Sequence, residues 1–464
     1  MLSVIMRSIL VAFVVGLTPL ALADDDAKDA PAPEAAGPSG IAHYMRQAAE
    51  AYTTGDVAAW VRHTERLHEL RPYNQDFMRH LVLGYSQLGE ISKAFNMMLQ
   101  MQQQGLSESW DDYEELEILR EHRLYGHLNT LMGEAGQPFG RAREVATLEN
   151  IAMPEAIAHD PASGRLFVGS VRDGRILVCD GDADWTVFAR PSEHEDLMAV
   201  MNMAVDPARN QLIVATGATA QFRGFRAQDA GRTAILRFDL DSGELISRHR
   251  LVPDGRPRLL GTIAVASDGT IFAADSVTTT IFRLGPDDES PQRFFGHANL
   301  ASLRGMALSS DDTRLYVADY DLGIFVIDAN DAGQAWKLAV PDTLNEGGID
   351  GLYAWDNHLV VIQNGVSPQR VLRLELGSDG LGVVGIAPVV AAHEKFDTPT
   401  FGFMDGSRLV FLAGSHWPHV DARGRARGGQ LPPVSILSAD VDSPEVMVVG
   451  REILEQMRQR SGSN

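Results

Sequence analysis

Short apolar strands separated by turn residues recur from residue 154 to near the end of the chain. The first copy, PEAIAHDPASGRLFVGS at residues 154–170, reads as a strand, an Asp/Pro/Gly turn and a second strand. The aligned apolar positions of the six copies are Ile157, Met203, Ile263, Met306, Leu352 and Phe401. The intervals between these positions are 46, 60, 43, 46 and 49 residues, a period that is typical of propeller blades.

A third strand, and often a fourth, follows each copy, as in RILVCD and WTVFAR after the first. Four antiparallel strands per unit form one blade. The pattern therefore predicts a mainly-β fold: a six-bladed β-propeller over residues 140–455, preceded by an α-helical domain. A strand from outside the six copies must close the ring. Residues 144–149 are the first candidate, and residues 447–453 are the alternative.

Apolar residues take a helical spacing over residues 41–138. The segments 49–72 and 82–105 repeat each other, with Gly55 and Gly89 lying 34 residues apart in the turns between helices. This resembles the tetratricopeptide repeat, and a third helical pair is expected in residues 110–134. A generic helical bundle is the alternative. In either case we expect the helices to serve packing or binding of a protein partner.

The first 23 residues have the form of a secretory signal. Arg7 precedes an apolar run at residues 9–22, and Ala-Leu-Ala ends at residue 23. A retained membrane anchor is the alternative, but the run is shorter than the roughly 20 residues that a spanning helix needs. We therefore expect an exported protein, periplasmic or extracellular, with no membrane span after cleavage. Residues 24–40 are rich in Ala, Pro and Asp and predict a flexible linker.

Charge and cysteine content narrow the possible partners and compartments. The chain has 464 residues and a formal net charge of −22, which disfavours binding to nucleic acid and to anionic membranes. Cys179 is the single cysteine, so an internal disulfide is excluded. We expect this thiol to be buried and inert.

Two columns of aligned residues are candidates for the functional site. The residue at the start of each innermost strand points toward one mouth of the central channel, and these residues are Glu155, Met201, Gly261, Arg304, Asp350 and Pro399. The residues at the end of each second strand are Ser170, Thr216, Asp275, Asp319, Gln363 and Ala413, with Asn364 beside the fifth. The sequence therefore predicts ligand-binding residues at Glu155, Arg304, Asp350, Asp275, Asp319 and Asn364.

A family resemblance rests on two of these stretches. MPEAIAHDPASGRLFVGS resembles the opening blade of the regucalcin and gluconolactonase family, within the wider strictosidine synthase and NHL-like propellers, and GIDGLYAWDNHLVV resembles a later blade of that family. The resemblance implies that Glu155 and Asp350 bind a divalent cation, calcium, zinc or manganese, and that Asp350 acts as the catalytic base. The family's third ligand is an asparagine, and its position here is Arg304.

Arg304 separates two hypotheses about function. A guanidinium has no lone pair to offer a cation, so the first hypothesis is a ligand- or protein-binding scaffold in which Arg304 forms a salt bridge with Glu155 and Asp350. The second is a metal-dependent lactone or ester hydrolase, which needs a substitute oxygen ligand. A third interpretation is that the charged groups only fill the channel, and for Asp275 and Asp319 it is as strong as a ligand role.

Two long connections between second and third strands complete the sequence evidence. Residues 224–232 lie in one of them, and residues 419–433, with Arg423, Arg425 and Arg427, lie in the other. Long connections on a rigid ring often determine specificity, and the arginines suit an acidic partner or an ordinary solvated loop. We interpret HWPH at residues 416–419 as a loop, because no further ligand completes a metal site.

Overall fold

The fold is described from a computed structural model that covers residues 40–442, without 182–183 and 253–254, and residue 444. The predicted signal peptide, residues 24–39 of the predicted linker and the alternative closing strand at 447–453 lie outside the described residues. Within the described range, no helix has the length and apolar character needed to cross a membrane.

The chain divides into two compact units. One contains the chain up to Met101 together with Trp110–Asn129, and the other contains Gln102–Ser109 and the chain from Thr130 onward. The α-helices are α1 (Ile41–Thr54), α2 (Val57–Leu70), α3 (Gln75–Gln87), α4 (Ile91–Gln103), α5 (Glu117–Arg120) and α6 (Arg123–Ala135). Two short 3₁₀ turns, Trp110–Asp112 and Glu114–Leu116, precede α5.

The helical turns form where the sequence predicts them. Gly55 and Gly89 have φ of 76° and 72°, a left-handed conformation that costs a residue with a side chain about 1–2 kcal/mol. Asp56 caps the start of α2 by accepting a hydrogen bond from the Ala59 amide at 2.9 Å. The two predicted helix–turn–helix segments are thus present, and their assignment to the tetratricopeptide repeat stays a prediction.

Two strands precede the propeller repeat, β1 (Phe139–Gly140) and β2 (Arg143–Leu148). Blade 1 contains β3 (Pro154–His159), β4 (Leu166–Ser170), β5 (Ile176–Cys179) and β6 (Thr186–Ala189). Blade 2 contains β7 (Ala199–Asp206), β8 (Gln211–Gly217), β9 (Thr233–Asp239) and β10 (Leu245–Arg250). Blade 3 contains β11 (Leu260–Val265), β12 (Ile271–Asp275), β13 (Thr280–Leu284) and β14 (Gln292–Gly296).

The remaining blades follow the same order. Blade 4 contains β15 (Leu303–Leu308), β16 (Arg314–Asp319), β17 (Gly323–Asp328) and β18 (Ala335–Lys337). Blade 5 contains β19 (Ile349–Trp355), β20 (His358–Gln363), β21 (Arg370–Leu376) and β22 (Val383–Ala391), and β1 pairs with β22 as a fifth strand. Blade 6 contains β23 (Gly402–Asp405), β24 (Arg408–Leu412) and β25 (Val434–Asp440). The six-bladed propeller is therefore confirmed.

Strand β2 closes the ring. It pairs antiparallel with β25, with Arg143 opposite Ser438 and Leu148 opposite Val434, so blade 6 acquires its fourth strand from the N-terminal side of the propeller. This is the closing strand predicted at residues 144–149. β2 is the outermost strand of this blade, in the order β2-β25-β24-β23, so it covers the outer edge of β25 and fastens the start of the propeller to its last blade.

Apolar side chains fill the spaces between neighbouring blades. Phe167, Leu212 and Phe238 pack between blades 1 and 2, and Val168 and Leu412 pack across the closing seam between blades 1 and 6. Strands buried on both faces explain why the strand segments are almost continuously apolar. Cys179 lies in this environment and is buried, as predicted.

A buried arginine ties the segment Gln102–Ser109 to blade 5. The Arg370 guanidinium donates to the Gln363 side-chain oxygen at 2.8 Å and to the backbone oxygens of Gln104 and Gly105 at 3.0 and 3.1 Å. Burial lowers the Arg370 pKa to about 10, so the group remains cationic at neutral pH. The three acceptors offset part of the cost of burying this charge.

Strand β1 gives a test of the fifth-strand pairing. Gly140 has φ of 76°, and a Cβ there would lie 1.9 Å from the Val389 carbonyl oxygen. Gly164 has φ of 77° with open space around it, so Gly164→Ala is a matched control for the backbone cost alone, about 1–2 kcal/mol. We expect Gly140→Ala to lower the free energy of unfolding by roughly 1–3 kcal/mol more than the control, measured by urea denaturation. Equal losses would show that β1 does not pack as described.

Candidate functional site at the channel mouth

Three residues of the first column converge at one mouth of the channel. Glu155 on β3 and Asp350 on β19 are 5 % and 8 % exposed, whereas the Arg304 side chain on β15 is 38 % exposed. Arg304 Nε lies 4.0 Å from Asp350 Oδ1. Glu155 is close enough for the charges of Asp350 and Arg304 to act on its pKa. The structure thus brings these three predicted residues together.

Two side chains from neighbouring strands hold the Asp350 carboxylate. Asn364 Nδ2 donates to Asp350 Oδ2 at 2.8 Å, and Thr400 Oγ1 donates to the same oxygen at 3.1 Å. Asn364 Nδ2 also donates to the Pro399 carbonyl oxygen at 2.9 Å. With Oδ2 engaged in this way, Oδ1 is the oxygen that faces Arg304.

Arg304 lies over an aromatic ring and is only partly neutralised. Its guanidinium carbon is 5.6 Å from the centre of the Tyr320 ring, and Tyr320 donates its hydroxyl to Asn364 Oδ1 at 2.9 Å. The Arg304 Nε atom is buried and has no hydrogen-bond partner in the described part of the chain. The 4.0 Å separation from Asp350 exceeds the 2.7–2.9 Å or so of a charge-assisted hydrogen bond, so the guanidinium retains donor capacity at the mouth.

Glu155 is held by a residue from the connection between β24 and β25. Trp417 Nε1 donates to Glu155 Oε2 at 3.0 Å. Burial, reinforced by the nearby Asp350 carboxylate, raises the pKa of Glu155 to about 8, while the Trp417 hydrogen bond and the Arg304 charge oppose the rise. Burial therefore dominates over the charge of Arg304 at this carboxyl.

His416 fixes the backbone that carries Trp417. Its Nδ1 accepts a hydrogen bond from the Met153 amide at 2.9 Å, and its Nε2 lies 2.7 Å from the Pro432 carbonyl oxygen. These contacts require the tautomer with the proton on Nε2. Burial lowers the His416 pKa, which favours the neutral ring. HWPH forms a loop with a short 3₁₀ turn, Trp417–His419, and its first histidine is engaged with backbone groups.

The side chains of the second column mainly form hydrogen bonds within their own blades. In five blades the strand-end side chain bonds to the backbone that precedes the innermost strand of the same blade. These pairs are Ser170 with Ala152, Thr216 with Met198, Asp275 with Leu259, Asp319 with Ala301 and Gln363 with Asn345. We call these contacts the strand-end bonds.

The predicted ligands Asp275 and Asp319 are engaged in their own blades. Asp275 accepts from the Leu259 and Val277 amides and pairs with Arg258 at 3.0 Å. Asp319 accepts from two backbone amides ahead of β15 and from two in the turn that follows it. No contact joins either carboxylate to the Glu155, Arg304 and Asp350 cluster within the described residues. Of the six predicted site residues, the structure therefore groups Glu155, Arg304, Asp350 and Asn364.

The donor set at the mouth does not fit a divalent cation. Such cations require several oxygen ligands, whereas Arg304 contributes only donors and Asp350 Oδ2 already accepts two hydrogen bonds. The described residues contain no group of three His, Cys, Asp or Glu side chains that could hold a metal ion. The predicted salt bridge is present only on its Asp350 side, since no direct contact joins Arg304 to Glu155.

Tyr320 and Thr400 also belong to the site, although the sequence did not single them out, and so does Trp417, whose HWPH segment the sequence predicted as a loop without a site role. Thr400 follows the first-column residue Pro399, and Tyr320 follows the strand-end residue Asp319, so both had positional signals. Trp417 lies in a connection whose length has no counterpart in most blades, and no periodic pattern could place it.

Comparisons with known proteins found similar solved structures but no matching family. No protein-family model and no curated protein matches the sequence. Solved structures similar to this chain include a gluconolactonase from Xanthomonas campestris, at 19 % identity and a TM-score of 0.43, covering 65 % of this chain and 99 % of that one. A regucalcin from Agrobacterium tumefaciens, a calcium-binding protein, has 15 % identity and a TM-score of 0.44, covering 65 % and 97 %.

A third similar structure was solved with a bound cofactor. The aldose sugar dehydrogenase from Streptomyces coelicolor, solved with bound PQQ, has 16 % identity and a TM-score of 0.44 and covers 66 % of this chain and 99 % of that one. Identities and TM-scores this low support no conclusion about the ligand, cofactor or activity of this chain.

The buried Glu155 carboxyl predicts a pH dependence of stability. Its pKa rises from 4.5 to about 8 on folding, so the folded state prefers the neutral form. Its contribution to stability is complete below about pH 4.5 and is lost as the pH rises to about 8. Glu155→Gln keeps the acceptor for Trp417 and cannot ionise. We expect this variant to exceed the native protein in unfolding free energy by about 1 kcal/mol or more at pH 8 and to match it at pH 4.

Thermal unfolding of both proteins across this range checks the expectation. Glu244→Gln, at an exposed glutamate, controls for the general effect of removing one carboxylate. A constant difference between native and Glu155→Gln protein at all pH values would contradict the assignment.

Proposed function

We propose that this protein is an exported binding protein whose channel mouth holds a small ligand with a carboxylate or carbonyl group, without a metal ion. The observation that carries the proposal is that Arg304 is partly exposed and incompletely paired. Its side chain is 38 % exposed at the mouth, and its Nε lies 4.0 Å from Asp350 Oδ1, the one carboxylate that it contacts among the described residues. A guanidinium in this position offers paired donors to a ligand oxygen.

The surroundings of Arg304 support recognition of a polar ligand. The Tyr320 ring lies under the guanidinium and restricts its orientation, which reduces the entropy lost on binding. Asp350 is oriented by Asn364 and Thr400 and keeps Oδ1 on the side of Arg304. A donor group and an acceptor oxygen side by side suit a ligand that carries both a carboxylate and hydroxyl groups.

The hydrolase hypothesis gains no support from the site. It requires a metal that polarises the ester carbonyl, with Asp350 as the base. The mouth presents the two carboxyl groups of Glu155 and Asp350 and a guanidinium in place of three oxygen ligands, and Asp275 and Asp319 do not reach it. These observations support binding, rather than metal-dependent hydrolysis, as the proposed role of this mouth.

Export and a protein partner for the helical unit complete the proposal. The apolar run at residues 9–22 and the Ala-Leu-Ala sequence before residue 24 support cleavage by a signal peptidase. The repeated helical segments at 49–72 and 82–105 support a protein-binding role. N-terminal sequencing of protein recovered from outside the cytoplasm would test cleavage after Ala23.

Carboxylate binding can be measured by isothermal titration calorimetry with gluconate, and with sorbitol as its neutral counterpart. We expect gluconate to bind more tightly than sorbitol and Arg304→Met to weaken gluconate about tenfold or more, the effect of losing roughly 1.4 kcal/mol. Arg293→Met, at an exposed arginine of β14, is the matched control and should bind as the native protein does. Equal affinity in the native and Arg304→Met proteins would contradict the proposal. So would the absence of gluconate binding at about 10 mM.

Metal binding gives an independent check on the role of Arg304. We expect the native protein to bind calcium, zinc and manganese no more tightly than about 1 mM. Arg304→Asn, which supplies an oxygen in place of the guanidinium, should gain affinity for at least one of them. Arg304→Met controls for loss of the positive charge without a new ligand and should gain less. Tight metal binding by the native protein that Glu155→Ala abolishes would favour the hydrolase hypothesis instead.

A further inference from the structure

Two long connections on the propeller form one continuous surface. Residues 218–232 connect β8 to β9, and residues 413–433 connect β24 to β25. Arg172 joins them, because its Nη1 donates to the Gln221 carbonyl oxygen at 2.7 Å and to the Arg423 carbonyl oxygen at 2.8 Å. The Arg223 amide donates in turn to the Arg172 carbonyl oxygen at 2.8 Å. We call residues 172–175, 190–192 and the two connections the arginine surface.

The arginine surface is positive in a strongly acidic chain. Its two connections contain six arginines and two aspartates, with no lysine and no glutamate, whereas the whole chain has a net charge of −22. Such a local reversal of sign creates a positive potential that attracts negative groups over a distance near the Debye length, about 8–10 Å.

Internal pairing leaves part of this charge uncompensated. Asp229 pairs with Arg226 and Arg232, and Asp421 pairs with Arg425. Arg172, Arg423 and Arg427 form no ion pair with a carboxylate in the described part of the chain. Arg423 and Arg427 are exposed, so their guanidinium groups are available to a partner.

A groove lies within the arginine surface. It has a volume of about 580 Å³, and its lining includes Arg175, Arg190 and Arg223, with Phe222 and Pro191 as apolar walls. Asp173 is shared between two of these arginines, at 3.2 Å from Arg175 and 3.1 Å from Arg223. Arg190 pairs with Glu193 at 3.0 Å, so the excess of positive charge in the groove comes from Arg175 and Arg223, which share one carboxylate.

The composition of the groove favours a short acidic peptide as its occupant. Arginine binds carboxylates through two parallel hydrogen bonds, and the apolar walls suit a side chain adjacent to the acidic residues. A long polyanion is disfavoured, because its charges would extend beyond the arginine surface onto an acidic protein. Asp173 within the groove also repels a densely charged chain.

We propose that the arginine surface is a docking site for an acidic segment of a partner protein. The partner contacts Arg223, Arg423 and Arg427 with its carboxylates and places an apolar side chain against Phe222. This interaction is separate from ligand binding by Arg304 and from any contact made by the helical unit.

The test uses a fluorescein-labelled 12-residue peptide of Asp, Glu and Leu in equal numbers, with fluorescence anisotropy at low salt. The triple variant Arg223→Ser, Arg423→Ser, Arg427→Ser removes three exposed arginines from the arginine surface. The matched control replaces Arg283, Arg293 and Arg408, which are exposed on other parts of the propeller, and changes the net charge by the same amount. We expect the Kd to rise about tenfold or more in the first variant and to change less than about twofold in the control.

Three results would overturn the proposal. They are equal weakening in both triple variants, no peptide binding by the native protein at about 0.5 mM, and unchanged binding of a peptide in which Asp and Glu are replaced by Lys. Heparin is the competing polyanion, and tighter binding of heparin than of the peptide would also overturn the choice of an acidic peptide. Circular dichroism and gluconate titration of the triple variant confirm that the fold and the mouth are intact.

Discussion

The strand-end bond is the interaction on which the channel mouth depends. In blades 1 to 5, a polar side chain at the end of the second strand bonds to backbone 16 or 18 residues earlier. That backbone leads directly into the innermost strand. The bond therefore fixes where each innermost strand begins. In blades 1, 4 and 5 the second residue of that strand, Glu155, Arg304 or Asp350, is the one that faces the mouth. Glu155, Arg304 and Asp350 converge because three such starting points are held in the ring.

The strand-end bonds also explain how far the sequence could predict the site. The period of the apolar strands was sufficient for the six blades, because every copy repeats the same alternation of strands and turns. It left two candidates for the closing strand, which lies outside the six copies, and the pairing of β2 with β25 decides for the first. The sequence also predicted that Glu155, Arg304 and Asp350 lie close together, and the structure brings these three residues together. It could not distinguish a polar residue that faces the channel from one that bonds to its own blade, since both need the same residue types. Asp275 and Asp319 belong to the second kind, and Trp417 lies where no repeat exists.

One connection links the two binding regions of the propeller. Residues 413–433 contribute Trp417, which donates to Glu155 at the mouth, and Arg423, whose backbone is held by Arg172 on the arginine surface. His416 fixes the same connection to the backbone of Met153 ahead of β3. This one connection therefore contributes both to the channel mouth and to the arginine surface.

The pairing of β2 with β25 has a consequence for synthesis of the chain. Residues 143–148 leave the ribosome long before residues 434–440, so the early strand waits for its partner while the intervening blades form. Pairings at such separation are slow to form, because a long loop must close first. Until then the apolar faces of blades 1 and 6, including Val168 and Leu412, remain exposed to other chains. Completion of the ring, rather than formation of any one blade, is therefore the step at which aggregation competes most strongly with folding.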